Sequence, residues 1–249
     1  MKKLLAIALI ALIVSCKSTK QEATTTSASS PDTKLLAFVL KPKFGMQDEF
    51  ESKLKAFAQT NFTGENDFRV QRVYGGVNDG SYLMTNSKLT SWAYYDDTTR
   101  DNSAFWKAFN SSVLPTLSSM QMEFLTYRPD LSGMQQGTYA VKNTVTERLV
   151  KEDKLSDFEA VMKKLKPVWD EIGYNVAMYR YSTGNTSRFV SVRRHPGGWG
   201  EKDAANALKD AFIKKYSAPE WDKLAKDLGA CVVSTQVQFH VYRKDLSNK

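Results

Sequence analysis

A block of this sequence occurs twice. Residues 106–132 read WKAFNSSVLPTLSSMQMEFLTYRPDLS and residues 221–247 read WDKLAKDLGACVVSTQVQFHVYRKDLS, and the copies align without a gap. Trp106/Trp221, Ser119/Ser234, Gln121/Gln236, Phe124/Phe239, Tyr127/Tyr242, Arg128/Arg243, Asp130/Asp245, Leu131/Leu246 and Ser132/Ser247 are identical. Average residue usage gives roughly one or two such matches over this length, and few of them aromatic. The chain is a duplication, so its architecture must be one unit built twice.

The rest of each copy follows the same order. In the first, residues 35–40 are an apolar run closed by Lys41-Pro42, as in a buried strand, and Phe50, Leu54, Phe57 and Ala58 recur at helical spacing over 47–62. Residues 68–74 alternate, 81–85 form a second extended run, and the glycine-rich stretch 75–80 joins them as a hairpin. A loop is expected over 86–102. Ser103 then caps a helix carrying Phe105, Trp106, Phe109 and Val113, which Pro115 ends, and 121–128 is the closing strand. In the second copy, residues 139–150 read as a strand, 155–172 as a helix, and 174–181 with 188–194 as a hairpin. A helical segment over 203–228 is broken near Ser217-Ala218-Pro219, and a closing strand runs over 231–243. Phe50 corresponds to Phe158, Tyr74 to Tyr181 and Trp92 to Trp199.

Each half therefore reads β-α-β-β-α-β, the order of ferredoxin-like domains. Two such halves in one chain resemble the dimeric α/β-barrel superfamily, which includes the antibiotic-biosynthesis-type monooxygenases, as a fused pair in place of a homodimer. The resemblance covers residues 34–247. It implies an α+β fold of two tandem ferredoxin-like βαββαβ repeats, residues 34–133 and 138–249, packed as a pseudo-dimeric α/β barrel. A ligand is then held in the lumen between the sheets or between a sheet and its helices, and no further subunit is required.

The N-terminus sets the address. Met1-Lys2-Lys3, the apolar run from Leu4 to Val14 and Ser15 form the pattern of a secretory signal over residues 1–15. That run is too short to span a bilayer, which takes about twenty residues. Ile13-Val14-Ser15-Cys16 resembles a bacterial lipobox, which implies acylation of Cys16 and attachment to a lipid bilayer, with Lys17 favouring the outer membrane. Residues 17–33 are mostly Ser, Thr, Lys and Gln and are expected to be a disordered tether. The net charge of +8 includes Lys2 and Lys3 of the leader, and with no Lys/Arg run longer than two, nucleic acid is not an expected partner. Cys231, the other cysteine, begins an apolar strand and reads as a small buried hydrophobe.

Strand parity nominates the site. On the closing strands Met122, Phe124 and Thr126 match Val237, Phe239 and Val241, a row suited to packing under helices. Gln121, Glu123, Leu125 and Tyr127 match Gln236, Gln238, His240 and Tyr242, a candidate site wall whose alternative role is to bury two tyrosines and satisfy polar contacts between the sheets. His240, where the first copy has Leu125, breaks the symmetry. Arg193, Arg194 and His195 precede Pro196-Gly197-Gly198-Trp199, where the first copy has Asn86, Ser87 and Lys88. Guanidinium forks there suit a carboxylate or phosphate, against the alternative of a solvated loop whose Trp199 packs as Trp92 does. Candidate ligand-binding residues are thus His240, Tyr242, Tyr127, Arg193, Arg194 and His195, with the second half dominant.

Nucleotide-binding glycine motifs, H-E-x-x-H, C-x-x-C and G-x-S-x-G are all missing, so neither a metal site nor a cofactor is expected. Haem, which some relatives use, needs a ligating histidine at an open pocket. Two readings follow. One is a membrane-anchored periplasmic or surface lipoprotein with a ligand-binding or scaffold role. The other is a cofactor-independent monooxygenase-like or isomerase-type enzyme acting on a small acidic or aromatic molecule in the lumen. A cavity of several hundred Å³ with His240 or Tyr242 at its base favours the second, and a filled interior the first.

Overall fold

The computed structural model describes residues 33–97, 103–133, 140–203 and 207–247. Residues 1–32, on which the expected leader, nearly all of the expected tether and Cys16 fall, lie outside them. The first half runs β1 (Lys34–Pro42), α1 (Gln47–Asn61), β2 (Phe68–Tyr74), β3 (Tyr82–Asn86), α2 (Trp92–Asp96), α3 (Ser103–Ser112) and β4 (Leu117–Tyr127). The second runs β5 (Lys142–Val150), α4 (Leu155–Glu171), β6 (Asn175–Tyr181), β7 (Arg188–His195), α5 (Ala207–Lys215), α6 (Ala218–Cys231) and β8 (Val232–Tyr242).

The halves have the same strand order, β4-β1-β3-β2 and β8-β5-β7-β6, and join edge to edge into a closed antiparallel barrel. One seam pairs Gln71 with Tyr242 and Val73 with His240. The other pairs Leu125 with Tyr181 and Tyr127 with Tyr179. Closure gives each half's edge strands partners, so neither sheet leaves a row of unpaired backbone groups.

Because side chains alternate across a strand, each half has an inward row and an outward row. Outward residues of the first sheet, among them Phe38, Val70, Tyr82 and Met84, form a core with Phe50, Leu54 and Phe57 of α1 and Phe105 and Phe109 of α3. A second core gathers Val176, Met178 and Phe189 under Phe158, Met162, Leu165 and Trp169 of α4 and Phe212 of α5. Inward residues Leu125, Val145, Ala177, Tyr179, Tyr181 and Val190 form a third cluster inside the barrel.

The ends of the halves are exchanged. Leu131, just past β4, is buried in the second half's core, and Leu246, just past β8, in the first half's. Ser132 Oγ accepts from Met178 N at 2.9 Å and donates to Arg128 O at 2.7 Å. Ser247 Oγ likewise accepts from Val70 N at 2.9 Å and donates to Arg243 O at 2.7 Å. The repeated Arg-x-Asp-Leu-Ser is the clasp by which each half holds the other.

Several expectations change in detail. The stretch expected as a loop over 86–102 contains α2, whose Trp92 and Tyr95 rings cover Phe124. Strand β4 starts at Leu117, not Gln121, and Cys231 ends α6 in place of opening the last strand. The break at 217–219 separates α5 from α6, with Ser217 Oγ accepting from Glu220 N at 3.3 Å and Pro219 in the first turn. Met122 and Val237 do face outward, but at 57% and 45% exposure they are not under helices, because the helices sit over the middle strands. Tyr181 corresponds to Val73, not Tyr74: both face the partner half at a seam, Tyr181 beside Leu125 and Val73 beside His240.

Candidate functional site

The two halves differ most between sheet and helices. Outward positions of β1 carry Leu36, Phe38 and Leu40, paired with Phe124, Met122 and Met120 of β4. The equivalent β5 positions, paired with Phe239, Val237 and Thr235 of β8, carry Thr144, Thr146 and Arg148. Ser191, beside Thr146, stands where the first half has Met84 beside Phe38. In the first half aromatic rings fill the space: Phe57 packs on Phe62, Phe105 and Phe109, and Trp106 on Phe38. In the second a cleft of about 740 Å³ remains, within the usual range for small-molecule sites.

Its helical wall is apolar, with Met162, Leu165, Trp169, Trp221, Leu224 and Leu228; its sheet wall is Thr144, Thr146, Arg148, Ser191 and Arg193. Arg148 Nη1 donates to Ser191 Oγ at 3.3 Å, and no carboxylate lines the cleft among the described residues. Burial pushes the Arg148 pKa down, since a cation removed from water without a counter-ion is penalised. The Arg193 guanidinium stacks 3.5 Å from the Tyr174 ring centroid. The cleft therefore presents cationic donors at the foot of an apolar wall.

A second cavity, of about 440 Å³, lies in the barrel lumen. Leu35, Leu83, Leu125, Val145, Val190 and Val192 give it apolar sides, and Arg69, Gln71, Asn143, Arg194, His240 and Tyr242 a polar rim. His240 is 3% exposed, and burial lowers its pKa to about 4. Its Nε2 lies 3.1 Å from Gln238 Oε1, while among the described residues no atom bonds Nδ1 and none bonds Gln71 Oε1, a second buried acceptor. Gly76, at φ +67°, passes so close to Gln238 that a Cβ there would stand 3.0 Å from its Cγ, so any larger residue at this position would press on Gln238. Further along the inward rows, the Tyr181 hydroxyl lies 3.2 Å from Glu123 Oε2 and 3.4 Å from Glu147 Oε2, and Arg188 pairs with Glu147.

The candidate residues from the sequence are divided among these places. Arg193, Arg194 and His195 end strand β7 and are not a loop, so alternation sends Arg193 to the cleft and Arg194 to the lumen, where Nη1 donates to Asn175 Oδ1 at 3.1 Å. His195 faces outward but is buried against Thr144, with Nε2 2.9 Å from Thr144 Oγ1. Its Nδ1 is 3.4 Å from Glu201 Oε2 without hydrogen-bond alignment, and burial lowers its pKa. His240 and Tyr242 line the lumen. Tyr127 packs on Tyr179 at 5.5 Å between centroids and is absent from both linings. Trp199 covers Phe239 under the Lys142 ammonium as Trp92 covers Phe124 under Lys34.

Sequence reasoning missed Arg148, Arg69 and Gln71. The signal for Arg148 was the parity of β5, which puts Thr144, Thr146 and Arg148 on the helix-facing side opposite Val145. For Arg69 and Gln71 it was closure: in a barrel the polar face of an alternating strand is the lumen, not solvent. Among the described residues no group of three or more His, Cys, Asp or Glu is placed to hold a metal, and no helix is long and apolar enough to cross a membrane. Among the described residues no histidine lines the cleft, so its donor set does not fit a histidine-held haem.

No family model matches the sequence, and no curated protein does. Solved structures do match the fold. A proposed monooxygenase from Fusobacterium nucleatum is 10% identical with a TM-score of 0.56, over 85% of this chain and 93% of that one. A chlorite dismutase variant from Candidatus Nitrospira defluvii is 10% identical with a TM-score of 0.54, over 86% and 93%. A proposed monooxygenase from Lactobacillus acidophilus is 12% identical with a TM-score of 0.53, over 85% and 94%. At such identity the likeness is one of fold, and the chain has the dimeric α/β-barrel fold with both halves in a single polypeptide.

Proposed function

We propose that this is an exported lipoprotein, anchored through acylated Cys16 at the outer membrane, that binds an apolar or aromatic acid in the sheet–helix cleft of its second half. The observation that carries the reading is Arg148, a cation under apolar helices with a serine hydroxyl as its neighbour and, among the described residues, no carboxylate on the cleft wall. The first half has Leu40 at the equivalent place and fills the equivalent space with aromatic rings. An acid would bring its charge to Arg148 and lay its apolar body on Trp169, Trp221 and Leu224. The signal and lipobox pattern supports the anchor, and residues 17–33 supply a tether long enough to hold the barrel clear of the bilayer. Mass spectrometry of small molecules that co-purify with the wild-type protein and with Arg148→Leu tests the reading. Apolar carboxylates enriched on the wild type alone support it; an equal yield from both proteins contradicts it.

The second reading, a cofactor-independent monooxygenase-like or isomerase-type enzyme, is favoured by the lumen cavity of about 440 Å³ lined by His240 and Tyr242, and by the likeness to proposed monooxygenases. Oxygen uptake, or a change in the recovered acid on incubation with the protein, supports that reading, and an acid returned unchanged in air opposes it.

A further inference from the structure

We propose that the barrel lumen is a second binding site, separate from the sheet–helix cleft, for a small hydroxylated carboxylate whose hydroxyl donates to His240 Nδ1 while its anionic end lies by Arg194 and Arg69. The proposal goes beyond the cleft reading and does not depend on it.

His240 is held as a single neutral tautomer. A ring this deeply buried is neutral at pH 7, consistent with its lowered pKa of about 4, and a neutral imidazole has one donor and one acceptor nitrogen. Gln238 Oε1, 3.1 Å from Nε2, can only accept, so Nε2 carries the hydrogen and Nδ1 is a bare acceptor. Gln71 Oε1 is a second acceptor on the same cavity, and among the described residues no atom donates to either. A buried acceptor left without a donor is costly, so a ligand that brings a hydroxyl is favoured over one that does not.

Arg69 and Arg194 line the cavity, and no acidic side chain does among the described residues. Asn143 pairs with His240 on one side and Arg194 on the other, so these two stand level on strands separated by one, about 10 Å apart at the backbone. Both side chains line the same cavity from there, and a ligand with its hydroxyl and carboxylate at opposite ends, as on a para-substituted benzene ring, would address both. Valine and leucine side chains make the walls on which such a ring packs. The first half supplies Leu125 where the second has His240, so the arrangement occurs once around the barrel.

Calorimetric titration of the full-length protein with 4-hydroxybenzoate and with benzoate tests the site. The wild type is expected to prefer the hydroxylated acid about tenfold, as one satisfied buried acceptor implies, and His240→Leu, which installs the first half's residue, to remove the preference. Fluorescence of anilinonaphthalene sulfonate in the cleft is expected to be the same in wild type and variant, so loss of the lumen site and loss of the cleft site are distinguishable. A readout that needs no variant at His240 is the nitrogen-15 spectrum of the histidines, of which there are two, assigned with His195→Gln. The His240 Nδ1 resonance should move with 4-hydroxybenzoate and stay with benzoate. Equal affinities for the two acids, a preference that survives His240→Leu, or an unmoved Nδ1 resonance at saturation, as when water alone occupies the lumen, would overturn the proposal.

Discussion

Arg243, just past the last strand, grips Glu51 on the first helix with both ends of its guanidinium, Nη1 to Oε1 at 2.6 Å and Nη2 to Oε2 at 2.8 Å. Arg128 meets Glu159 on α4 at the equivalent place, through Nη1 alone, and each arginine is further held in a fork by its own aspartate, Asp130 for Arg128 and Asp245 for Arg243. These are charge-assisted, forked bonds at the places where each half crosses onto the other. Arg243→Ala is expected to destabilise the barrel by about 1–3 kcal/mol, below the cost of breaking a fully buried pair because both side chains keep some exposure. Denaturant unfolding of Arg243→Ala, Glu51→Ala and the double variant checks this. Non-additive costs are the expected outcome, and strict additivity would remove the clasp from the account.

The clasps also set an acid limit. Hydrogen bonds from Arg243 hold the Glu51 and Asp245 pKa values below their usual 4.5 and 3.8, and Arg128 does the same for Glu159 and Asp130. A depressed carboxylate pKa contributes stability that is present above the unfolded-state value and lost as pH falls through the folded-state value. Melting temperature should therefore drop as pH is lowered below about 4.5, and Glu51→Gln with Glu159→Gln should flatten that drop. Glu123 has the opposite sign: burial raises its pKa, so its ionised form costs stability at neutral pH. Glu123→Gln should raise the melting temperature at pH 7 and lose that advantage in acid, with the Tyr181 hydroxyl still able to donate to the amide oxygen.

Lipidation gives an independent prediction. Cys16→Ala should move the protein from the membrane fraction to the soluble fraction and abolish incorporation of labelled fatty acid. Cys231→Ala should leave both unchanged, since that thiol is buried at the end of α6 with its pKa pushed up by desolvation. A Cys16→Ala protein that still sediments with membranes would contradict the anchor.

The repeated block was legible because it performs the same physical task twice. Arg128, Asp130, Leu131 and Ser132 must fit the second half as Arg243, Asp245, Leu246 and Ser247 fit the first, so these residues match in both copies. Register was harder to read. The second hairpin loop is one residue shorter, so an alignment taken beyond the loop, where Trp92 meets Trp199, is one residue out before it, and Tyr74 was set against Tyr181. Arg148 escaped notice because the helix-facing side of β5 has no sequence match to β1: Leu36, Phe38 and Leu40 became Thr144, Thr146 and Arg148. That divergence opens the second half's cleft, and a comparison resting on identities passes over it.

Titration of dodecanoate into the wild type, Arg148→Leu and Thr146→Phe most directly tests whether the second half's cleft holds an acid. Each substitution restores the first half's residue, and neither should lower the unfolding temperature. Truncating a buried Arg–carboxylate contact costs roughly 2–5 kcal/mol, so dodecanoate should bind the wild type and bind Arg148→Leu at least tenfold more weakly, with Thr146→Phe blocking entry. Equal affinity in all three proteins would contradict the account.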